Sequence, residues 1–265
     1  MLRAMAYACE EGGKRLRPVL TLEFCRLCGG DPLRALPFAC AIEMIHSYSL
    51  VHDDLPCMDN SPLRRGRPSV HAAFGEDVAL LAGDALLNRA FEVMLDPRSR
   101  EGIAPEAALR AAGSLADAAG IAGMAGGQAI DLQSEGKPTD LAELEQLQRG
   151  KTAALFLAAC EMGCYLAQAE PQKLAAARQY GEELGRCFQI VDDLLDVSST
   201  ADQLGKPVGS DSENEKATYV SLLGVDRAAR LAAERTDRAV AALSVFGDEA
   251  SELRALSLAL LDRKK

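Results

Sequence analysis

The chain has 265 residues, of which 48% are hydrophobic and 26% charged, and its formal net charge is −10. This composition is ordinary for a globular protein and argues against a disordered chain, and the acidic balance disfavours a nucleic-acid-binding module. No apolar run reaches the roughly 18 residues of a membrane-spanning helix, and Glu10 and Glu11 interrupt the place where a signal peptide would be apolar. We therefore expect a cytoplasmic protein without membrane insertion.

Almost the whole chain has helical character. Ala and Leu dominate, β-branched residues are sparse, and apolar positions recur at i, i+3, i+4 and i+7. Breakers such as Gly29-Gly30, Asp96-Pro97 and Gly136-Lys137-Pro138 separate the segments. No strand pattern, repeat or low-complexity linker is evident, so we expect one all-α domain over residues 1–265. The predicted helices are 18–29, 33–54, 75–95, 105–118, 119–134, 140–149, 151–168, 171–198, 216–223, 226–245 and 248–263.

The eight cysteines form neither a zinc pattern nor a disulfide framework. Cys25 and Cys28 make a lone C-x-x-C, Cys160 and Cys164 lie one helical turn apart, and none of the three histidines adds a zinc-type spacing. Reduced thiols buried in helices are the expectation for such a chain.

The first segment with chemical character is Gly12-Gly13-Lys14-Arg15-Leu16-Arg17-Pro18. It is a glycine turn followed by cations and by a proline suited to the first position of a helix. A helix N-terminus binds phosphate through its free N–H groups and its dipole. The segment is therefore a candidate anion site, although a solvated basic patch is the commoner interpretation when it is judged alone.

An acidic cluster, Asp53, Asp54 and Asp59, lies at the end of the helix predicted over 33–54. Because Pro56 disfavours helix in the residue before it, the chain should turn there and bring Asp59 back beside Asp53. A helix C-terminus favours cations rather than aspartates, so this cluster is electrostatically unfavourable unless a cation is bound. An ordinary acidic helix end is the alternative.

Polar groups flank this first acidic cluster on both sides. His46 and Ser49 precede Asp53 at the i, i+3, i+7 spacing of one helical face. Arg64 and Arg65 follow in Arg-Arg-Gly-Arg, and arginine can grip phosphate with two parallel hydrogen bonds. Beside aspartates in an acidic protein, these arginines favour an anion site over a solvated patch.

The middle of the chain gives weaker signals. Small residues crowd 120–127, which predicts a kink or very close helix packing, because glycine inside a helix costs about 1 kcal/mol relative to alanine. The spacing is not that of a dinucleotide-binding loop, and no strand precedes it. Lys151 and Thr152 follow Gly150 at the start of a predicted helix, where Thr152 is a plausible N-cap.

A second acidic cluster lies in the helix spanning 184–197. On a helical wheel Gln189, Asp192, Asp193 and Asp196 fall in one wedge between about 40° and 140°, and the other directions are apolar. Such a helix should be buried, and three carboxylates cannot all stay ionised in a dry core. They should face a wet cavity or a cation. The alternative is the solvated face of an amphipathic helix, which is normally wider.

Two acidic clusters more than a hundred residues apart suggest one shared site. Magnesium is held by one or two carboxylates together with substrate phosphates, not by a full protein cage. Facing aspartates could clamp a diphosphate through several Mg²⁺ ions, which would neutralise the departing diphosphate. The sequence therefore predicts a magnesium-dependent site for a diphosphate ester.

In their order along the chain, these motifs resemble those of the trans-isoprenyl diphosphate synthases, in particular the bacterial farnesyl diphosphate synthases. The likeness runs from about Gly12 to the C-terminus. It is carried by GGKRLRP at 12–18, SLVHDDLPCMD at 49–59, LRRGRPS at 63–69, FGEDVALLAGDALL at 74–87, GGQAIDL at 126–132, KTAALF at 151–156 and FQIVDDLLD at 188–196. The resemblance implies a single polyprenyl synthetase domain, built as an all-α barrel of helices around a deep cavity and usually found as a homodimer.

The resemblance also implies roles for individual residues. Isopentenyl diphosphate would be held by Lys14, Arg17, His46 and Arg65. The allylic diphosphate would be held by Arg64, Lys151, Lys206 and Lys216. Three Mg²⁺ ions, for which Mn²⁺ can substitute, would bridge it to Asp53, Asp59 and Asp192. The metal shells would be supported by Asp54, Asp193 and Asp196, and the site of the allylic cation would be lined by Gln189 and Thr152.

In this family the residues four and five places before the first aspartate lie beneath the growing tail, and here they are Ser49 and Tyr48. A bulky tyrosine would block elongation, so we expect farnesyl diphosphate, made from dimethylallyl and geranyl diphosphates. Plant-type geranylgeranyl synthases also carry LPCMDN, so a twenty-carbon product stays open. Two departures from the family pattern are the less acidic stretch Asn60-Ser61-Pro62 and an N-terminus short by about one helix.

Two other classes are weighed against this interpretation. A class I terpene cyclase also uses an aspartate-rich motif and Mg²⁺, but it consumes one diphosphate and needs no second anion site. A non-catalytic partner subunit typically has a degraded aspartate motif, whereas both motifs here are intact.

Overall fold

In the computed structural model, which describes residues 1–10, 12–198 and 217–263, helix follows helix along almost the whole chain. The helices are α1 (Leu2–Glu10), α2 (Leu16–Leu27), α3 (Pro32–Asp53), α4 (Val70–Phe74), α5 (Glu76–Leu95), α6 (Pro105–Ala119), α7 (Met124–Ser134), α8 (Leu141–Gln148), α9 (Ala154–Leu166), α10 (Pro171–Ser198), α11 (Tyr219–Leu223), α12 (Val225–Ala242) and α13 (Ser251–Leu261). A π-helical turn, Arg149–Ala153, joins α8 to α9, and a 3-10 segment, Leu243–Ala250, precedes α13. Two-residue strands, β1 (Leu63–Arg64) and β2 (Arg67–Pro68), pair antiparallel. The all-α prediction is confirmed.

Local sequence signals set several helix boundaries. Asp31 caps α3 by accepting from the backbone N–H of Leu33 at 2.9 Å. Asp140 and Glu143 form a reciprocal capping box at the start of α8. Helix α3 ends at Asp53, three residues before Pro56, as the turn predicted from that proline requires.

Two helices differ from the predicted set at the N-terminal side. Helix α1 was not predicted; it packs through Tyr7, whose hydroxyl donates to the carbonyl of Pro68 at 2.7 Å and whose ring meets Phe74 edge-on at 5.2 Å. Helix α2 begins at Leu16, not at Pro18. Proline is tolerated in this first turn because the N–H groups there have no intrahelical acceptor.

The helix predicted over 119–134 is wrong at its start, because α6 ends at Ala119 and α7 begins at Met124. At Gly123 a Cβ atom would lie 2.1 Å from the carbonyl oxygen of Ala118, so only glycine permits this junction. At Gly127 a Cβ atom would lie 2.2 Å from the backbone nitrogen of Lys151. The crowding of small residues therefore reflects both a break between two helices and very close backbone packing.

The main core surrounds α9, which packs against α2, α6 and α10. Its largest buried side chains include Phe24, Phe38 and Phe156. Tyr180 of α10 is also buried, and its hydroxyl donates to the carbonyl of Leu253 at 3.2 Å, which ties α10 to α13. This core holds α2, α3, α9 and α10 in fixed positions around the cavity described below.

All eight cysteines are free thiols. Cys25, Cys160, Cys164 and Cys187 are buried, whereas Cys40 is exposed. Burial raises the pKa of Cys25 to about 11, so this thiol stays protonated. Within the described ranges, none of the helices has the length and hydropathy needed to cross a bilayer.

Candidate active site

A cavity of about 440 Å³ opens between α3, α7, the π-helical turn and α10. Asp53, at the end of α3, and Asp192, in the middle of α10, both line it. His46 and Ser49 line it from the same face of α3 as Asp53, in agreement with their helical spacing. The two acidic clusters, although distant in sequence, thus present one aspartate each to the same space.

The turn after α3 returns the chain to Asp53. The backbone N–H of Asp59 donates to the carbonyl oxygen of Asp53 at 2.8 Å, which places the two residues side by side as predicted. Burial raises the pKa of Asp53 to about 6; the neighbouring Asp59 and Asp54 carboxylates add to this rise, and Lys151 and Arg64 oppose it. A carboxylate in this position favours a cation.

Asp54 points away from the cavity lining. It is 2% exposed and accepts from Arg64, whose Nε lies 3.1 Å from both carboxylate oxygens. Burial raises the pKa of Asp54, although the Arg64 guanidinium opposes the shift. The structure therefore pairs Asp54 with Arg64. The family resemblance assigned metal support to Asp54 and diphosphate binding to Arg64.

Asp192 forms an ion pair with Arg263. The Arg263 Nη2 donates to Oδ1 of Asp192, and its guanidinium lies 4.9 Å from the ring centroid of Phe188. The sequence analysis did not single out Arg263, because a single arginine carries no periodic signal.

Asp193 orients a neighbouring amide instead of lining the cavity. It is 3% exposed, and it accepts from Nε2 of Gln189 at 2.8 Å and from the backbone N–H of Tyr219 at 2.8 Å. The Thr152 hydroxyl lies 3.0 Å from Oε1 of Gln189 and 3.0 Å from Oε1 of Gln148, and it can donate to one of them at a time. Gln189 and Thr152 both line the cavity.

Asp196, the last member of the second acidic cluster, is 5% exposed and is also absent from the cavity lining. Of the three carboxylates in this cluster, Asp192 is thus the one that lines the cavity. The wheel placed all three in one wedge, but Asp192 and Asp193 point about 100° apart, and Asp196 lies one turn further along the helix than Asp192.

A second cavity of about 350 Å³ adjoins the first and shares Arg17, His46, Phe188 and Asp192 with it. The basic side chains that line it are Lys14, Arg15, Arg17, Arg65 and Arg263. The N-terminus of α2 also lies here, since Leu16 lines the space. This concentration of cations in an acidic chain suits an anionic ligand.

The charges of this basic cavity alter one another's titration. Burial lowers the pKa of Arg17 to about 10, and Arg65 adds to this effect while Glu43 and Asp192 oppose it. Burial, assisted by Arg17, Arg65, Arg64 and Arg15, lowers the pKa of His46 well below its ordinary value. The His46 imidazole is therefore neutral near pH 7, whereas Arg17 keeps its charge.

Lys151 extends from the π-helical turn and forms an ion pair with Asp131 of α7, with 2.5 Å between Nζ and Oδ2. The sequence reasoning missed Asp131: its motif GGQAIDL was noted, but only the glycines were interpreted. Lys206 and Lys216, predicted to bind the allylic diphosphate, lie outside the described residues.

Tyr48 lines the cavity one residue before Ser49, and burial raises the pKa of its hydroxyl. Ser49 donates to the carbonyl of its own helix at His46, 2.8 Å away. Both residues predicted to lie beneath a growing tail therefore line the cavity that contains Asp53.

The donor set fits a hard divalent cation held mainly by its ligand. Within residues 1–10, 12–198 and 217–263, there is no group of three or more His, Cys, Asp or Glu side chains that could hold a metal alone. Magnesium characteristically uses one or two carboxylates plus substrate phosphates, and Asp53 and Asp192 on the cavity lining supply such carboxylates.

Comparisons with known proteins agree with this geometry. The family model described as polyprenyl synthetase matches residues 1–249. A farnesyl diphosphate synthase from Geobacillus stearothermophilus is 48% identical over 84% of this chain and 75% of its own length. The large subunit 1 of a chloroplastic heterodimeric geranylgeranyl pyrophosphate synthase from Arabidopsis thaliana is 44% identical over 89% of this chain, and the match spans 64% of that relative.

A solved structure is also closely similar. The geranyltransferase from Helicobacter pylori, described as complexed with magnesium and isoprenyl diphosphate, superposes with a TM-score of 0.86 at 33% identity, covering 98% of this chain and 86% of that chain. The identity and the coverage extend the likeness beyond the fold alone.

Proposed function

The chain belongs to the polyprenyl synthetase family, and from this premise we propose that it condenses isopentenyl diphosphate with dimethylallyl and geranyl diphosphates to make farnesyl diphosphate. The observation that carries the proposal is that one cavity is lined by Asp53 and Asp192 and adjoins a basic cavity around Lys14, Arg17 and Arg65. Two diphosphates are consumed in this reaction, and the two adjoining compartments provide separate places for them.

Magnesium, when bound, would neutralise the allylic diphosphate as it departs. Asp53 and Asp192 would hold the metal from opposite walls, with Asp59 beside Asp53. Three ions are proposed, with Mn²⁺ as a substitute, and the name of the Helicobacter pylori complex supports the choice of magnesium.

In the proposed reaction the allylic C–O bond breaks and the diphosphate leaves with the bonding electrons. The double bond of isopentenyl diphosphate then attacks the allylic cation and forms the new carbon–carbon bond. The adduct then loses a proton, which restores a double bond and leaves the product uncharged at that carbon. The released diphosphate takes up this proton.

Gln189 and Thr152 can stabilise the allylic cation through their oxygen dipoles, and neither needs to act as a base. Asp193 accepts from the Nε2 amide of Gln189, so it fixes which way the amide carbonyl points. Oε1 of Gln189 and the Thr152 hydroxyl then present oxygen dipoles to the cavity. Dipoles fixed before the reaction stabilise developing positive charge without the cost of reorganising water.

On the basic side, Lys14, Arg17, Arg65 and neutral His46 would hold isopentenyl diphosphate. Arginine can hold a diphosphate with parallel hydrogen bonds, and His46 can donate one hydrogen bond from its neutral ring. Lys151 would hold the allylic diphosphate, with Asp131 keeping its ammonium group in place. Arg64 would do so only after loosening its pair with Asp54.

A homodimer is proposed as the working form, and its location is proposed to be the cytoplasm. Exposed leucines on α5 and α6 offer an apolar surface for a second copy: Leu80, Leu81, Leu95 and Leu109. Light scattering of the purified chain tests this, and a monomeric mass at micromolar concentration would contradict it.

The activity itself is tested with purified chain, dimethylallyl and isopentenyl diphosphates, and Mg²⁺, with and without EDTA. We expect fifteen-carbon product that disappears on chelation. Product formed from the allylic substrate alone would favour a terpene cyclase, and turnover that survives EDTA would overturn the metal mechanism.

The product length is tested by Tyr48→Ala, which opens the cavity beneath the tail. The geranylgeranyl alternative is favoured by the name of the Arabidopsis relative. We expect the wild type to stop at fifteen carbons and Tyr48→Ala to go further, because removing the ring removes the steric block. Unchanged fifteen-carbon product from the variant would show that Tyr48 is not the residue that limits the length of the product.

A further inference from the structure

The ring of Tyr48 has a neighbour on its own helix, one turn closer to Asp53. The His52 imidazole meets the Tyr48 ring edge-on, with 5.7 Å between centroids and 79° between planes. Both side chains line the cavity. Neither ring can move toward the other without a clash, so the position of His52 limits where Tyr48 can go.

His52 is in turn held from α5. Its Nε2 lies 3.0 Å from the carbonyl oxygen of Leu80, and Nε2 must carry the proton to donate this hydrogen bond. The Asp84 Oδ1 lies 3.9 Å from the same nitrogen. Only 25% of the His52 side chain is exposed. The ring therefore bridges α3 and α5 in one defined orientation.

Gly83 provides the space that this orientation needs. A Cβ atom at Gly83 would lie 2.1 Å from Nε2 of His52 and 2.4 Å from its Cδ2, well inside contact distance. Gly83 is buried in the middle of α5, where glycine destabilises a helix relative to alanine. Only glycine at position 83 is compatible with the observed position of the His52 ring.

We propose that His52, seated against Gly83 and bonded to the Leu80 carbonyl, is a positioning residue that sets product length by bracing the Tyr48 ring. This rests on the proposed function. Tyr48 packs against two hydrophobic clusters, and the His52 imidazole adds a contact at the edge of its ring. With His52 fixed beside it, the Tyr48 ring can turn toward the imidazole only if the contact between α3 and α5 also yields.

The test compares Gly83→Ala and His52→Ala with Gly113→Ala. The added methyl in Gly83→Ala displaces the His52 imidazole, and His52→Ala removes the imidazole. Gly113→Ala is the control, because it makes the same glycine-to-alanine change on α6, where a Cβ atom meets nothing within 4 Å. The readout is the chain length of the products made from geranyl and isopentenyl diphosphates, alongside the rate of the first condensation from dimethylallyl diphosphate.

We expect the ratio of longer products to fifteen-carbon product to rise about ten-fold in Gly83→Ala and in His52→Ala, near the lower end of what a misfit in an apolar pocket is worth. The rate of the first condensation should stay within about three-fold of wild type, since its short product does not extend as far as the Tyr48 ring. In His52→Ala/Gly83→Ala the second change should add nothing, because the clash it would cause is gone. Gly113→Ala should match wild type.

Unchanged product lengths in Gly83→Ala and His52→Ala, with turnover intact, would overturn the inference and leave the proposed function standing. Equal loss of both condensations with a lowered melting temperature would also overturn it, since His52 would then be structural only. A wild-type chain that consumes no isopentenyl diphosphate would instead refute the proposed function.

Discussion

The two acidic clusters bring carboxylates to the same cavity from different kinds of backbone. Asp53 ends a helix, and the turn after it returns Asp59 to its side, whereas Asp192 lies within the continuous helix α10. In both clusters the residue immediately after the cavity-facing aspartate is bound by the protein: Asp54 by Arg64, and Asp193 by Gln189 and Tyr219. A doubled aspartate in either motif thus contains one carboxylate that lines the cavity and one that is hydrogen-bonded within the protein.

The clusters differ in what competes with a metal ion. Burial and the neighbouring carboxylates raise the pKa of Asp53 to about 6, so protons compete there. Arg263 is paired with Asp192, so a protein cation competes on the other wall. One side of the site should therefore respond to pH and the other to the removal of an arginine.

The largest effect should come from removing the cavity-facing carboxylate of the second cluster. Asp192→Ala should lower kcat/KM by about three orders of magnitude or more, because several kcal/mol of transition-state stabilisation depend on the metal it would hold. Circular dichroism should show the same helix content, since Asp192 lines a cavity. Asp237→Ala, on the exposed surface of α12, is the control; equal losses in both variants would refute a specific role.

The next effect separates scaffold from ligand within the same cluster. Asp193→Ala leaves the Tyr219 N–H and the Gln189 amide without their acceptor, and this should lower the free energy of unfolding by about 1–3 kcal/mol. Urea unfolding measures it, and Asp192→Ala should show no comparable loss. A fully stable Asp193→Ala that no longer binds Mg²⁺ would make Asp193 a direct metal ligand instead.

A pH-dependent effect is expected at Asp53. Its folded pKa, about 6, lies above its ordinary value of 3.8, so ionising it costs stability at neutral pH, and the cost fades as the pH falls through 6 toward 4. With both proteins metal-free, Asp53→Asn should therefore be more stable than wild type by roughly 1–2 kcal/mol at pH 7.5. The two unfolding curves should converge near pH 4. A constant difference at all pH values would contradict this origin.

The smallest effect concerns Arg263. Replacing it in Arg263→Gln removes the partner that a metal must displace from Asp192, and a partly exposed ion pair is worth up to about 1 kcal/mol. The Mg²⁺ concentration for half-maximal activity should fall by about two- to five-fold. A rise in that concentration would mean that Arg263 helps to hold the metal-bound ligand.

Much of this arrangement follows from sequence patterns that act locally. Helix periodicity and the break before Pro56 predicted helices and boundaries, and the spacing of His46, Ser49 and Asp53 predicted one lining face. The polar wedge on α10 predicted that its carboxylates face a wet cavity or a cation, but not that Asp192 would line the cavity in preference to Asp193 and Asp196. Asp193 is held by Gln189, one turn earlier on α10, and by the backbone N–H of Tyr219, which reaches it through tertiary packing.

Contacts between distant segments were beyond sequence reasoning. The Lys151–Asp131 pair depends on the close approach that Gly127 permits, and the pair of Arg263 with Asp192 spans 71 positions of the chain. Neither leaves a periodic pattern. Helix α1 was missed because its short amphipathic stretch is stabilised by packing on the β-hairpin and α4 rather than by local signals.

The central claim is that Asp53 and Asp192 hold one diphosphate together through divalent ions. Calorimetric titration of a non-hydrolysable allylic diphosphate analogue, with and without Mg²⁺, into wild type, Asp53→Asn, Asp192→Asn and the double variant tests it directly. Magnesium-dependent binding should be lost by about the same amount in each single variant, and the double variant should lose little more, because either change breaks the shared site. Strictly additive losses, or wild-type affinity in one single variant, would show that the two aspartates serve separate sites.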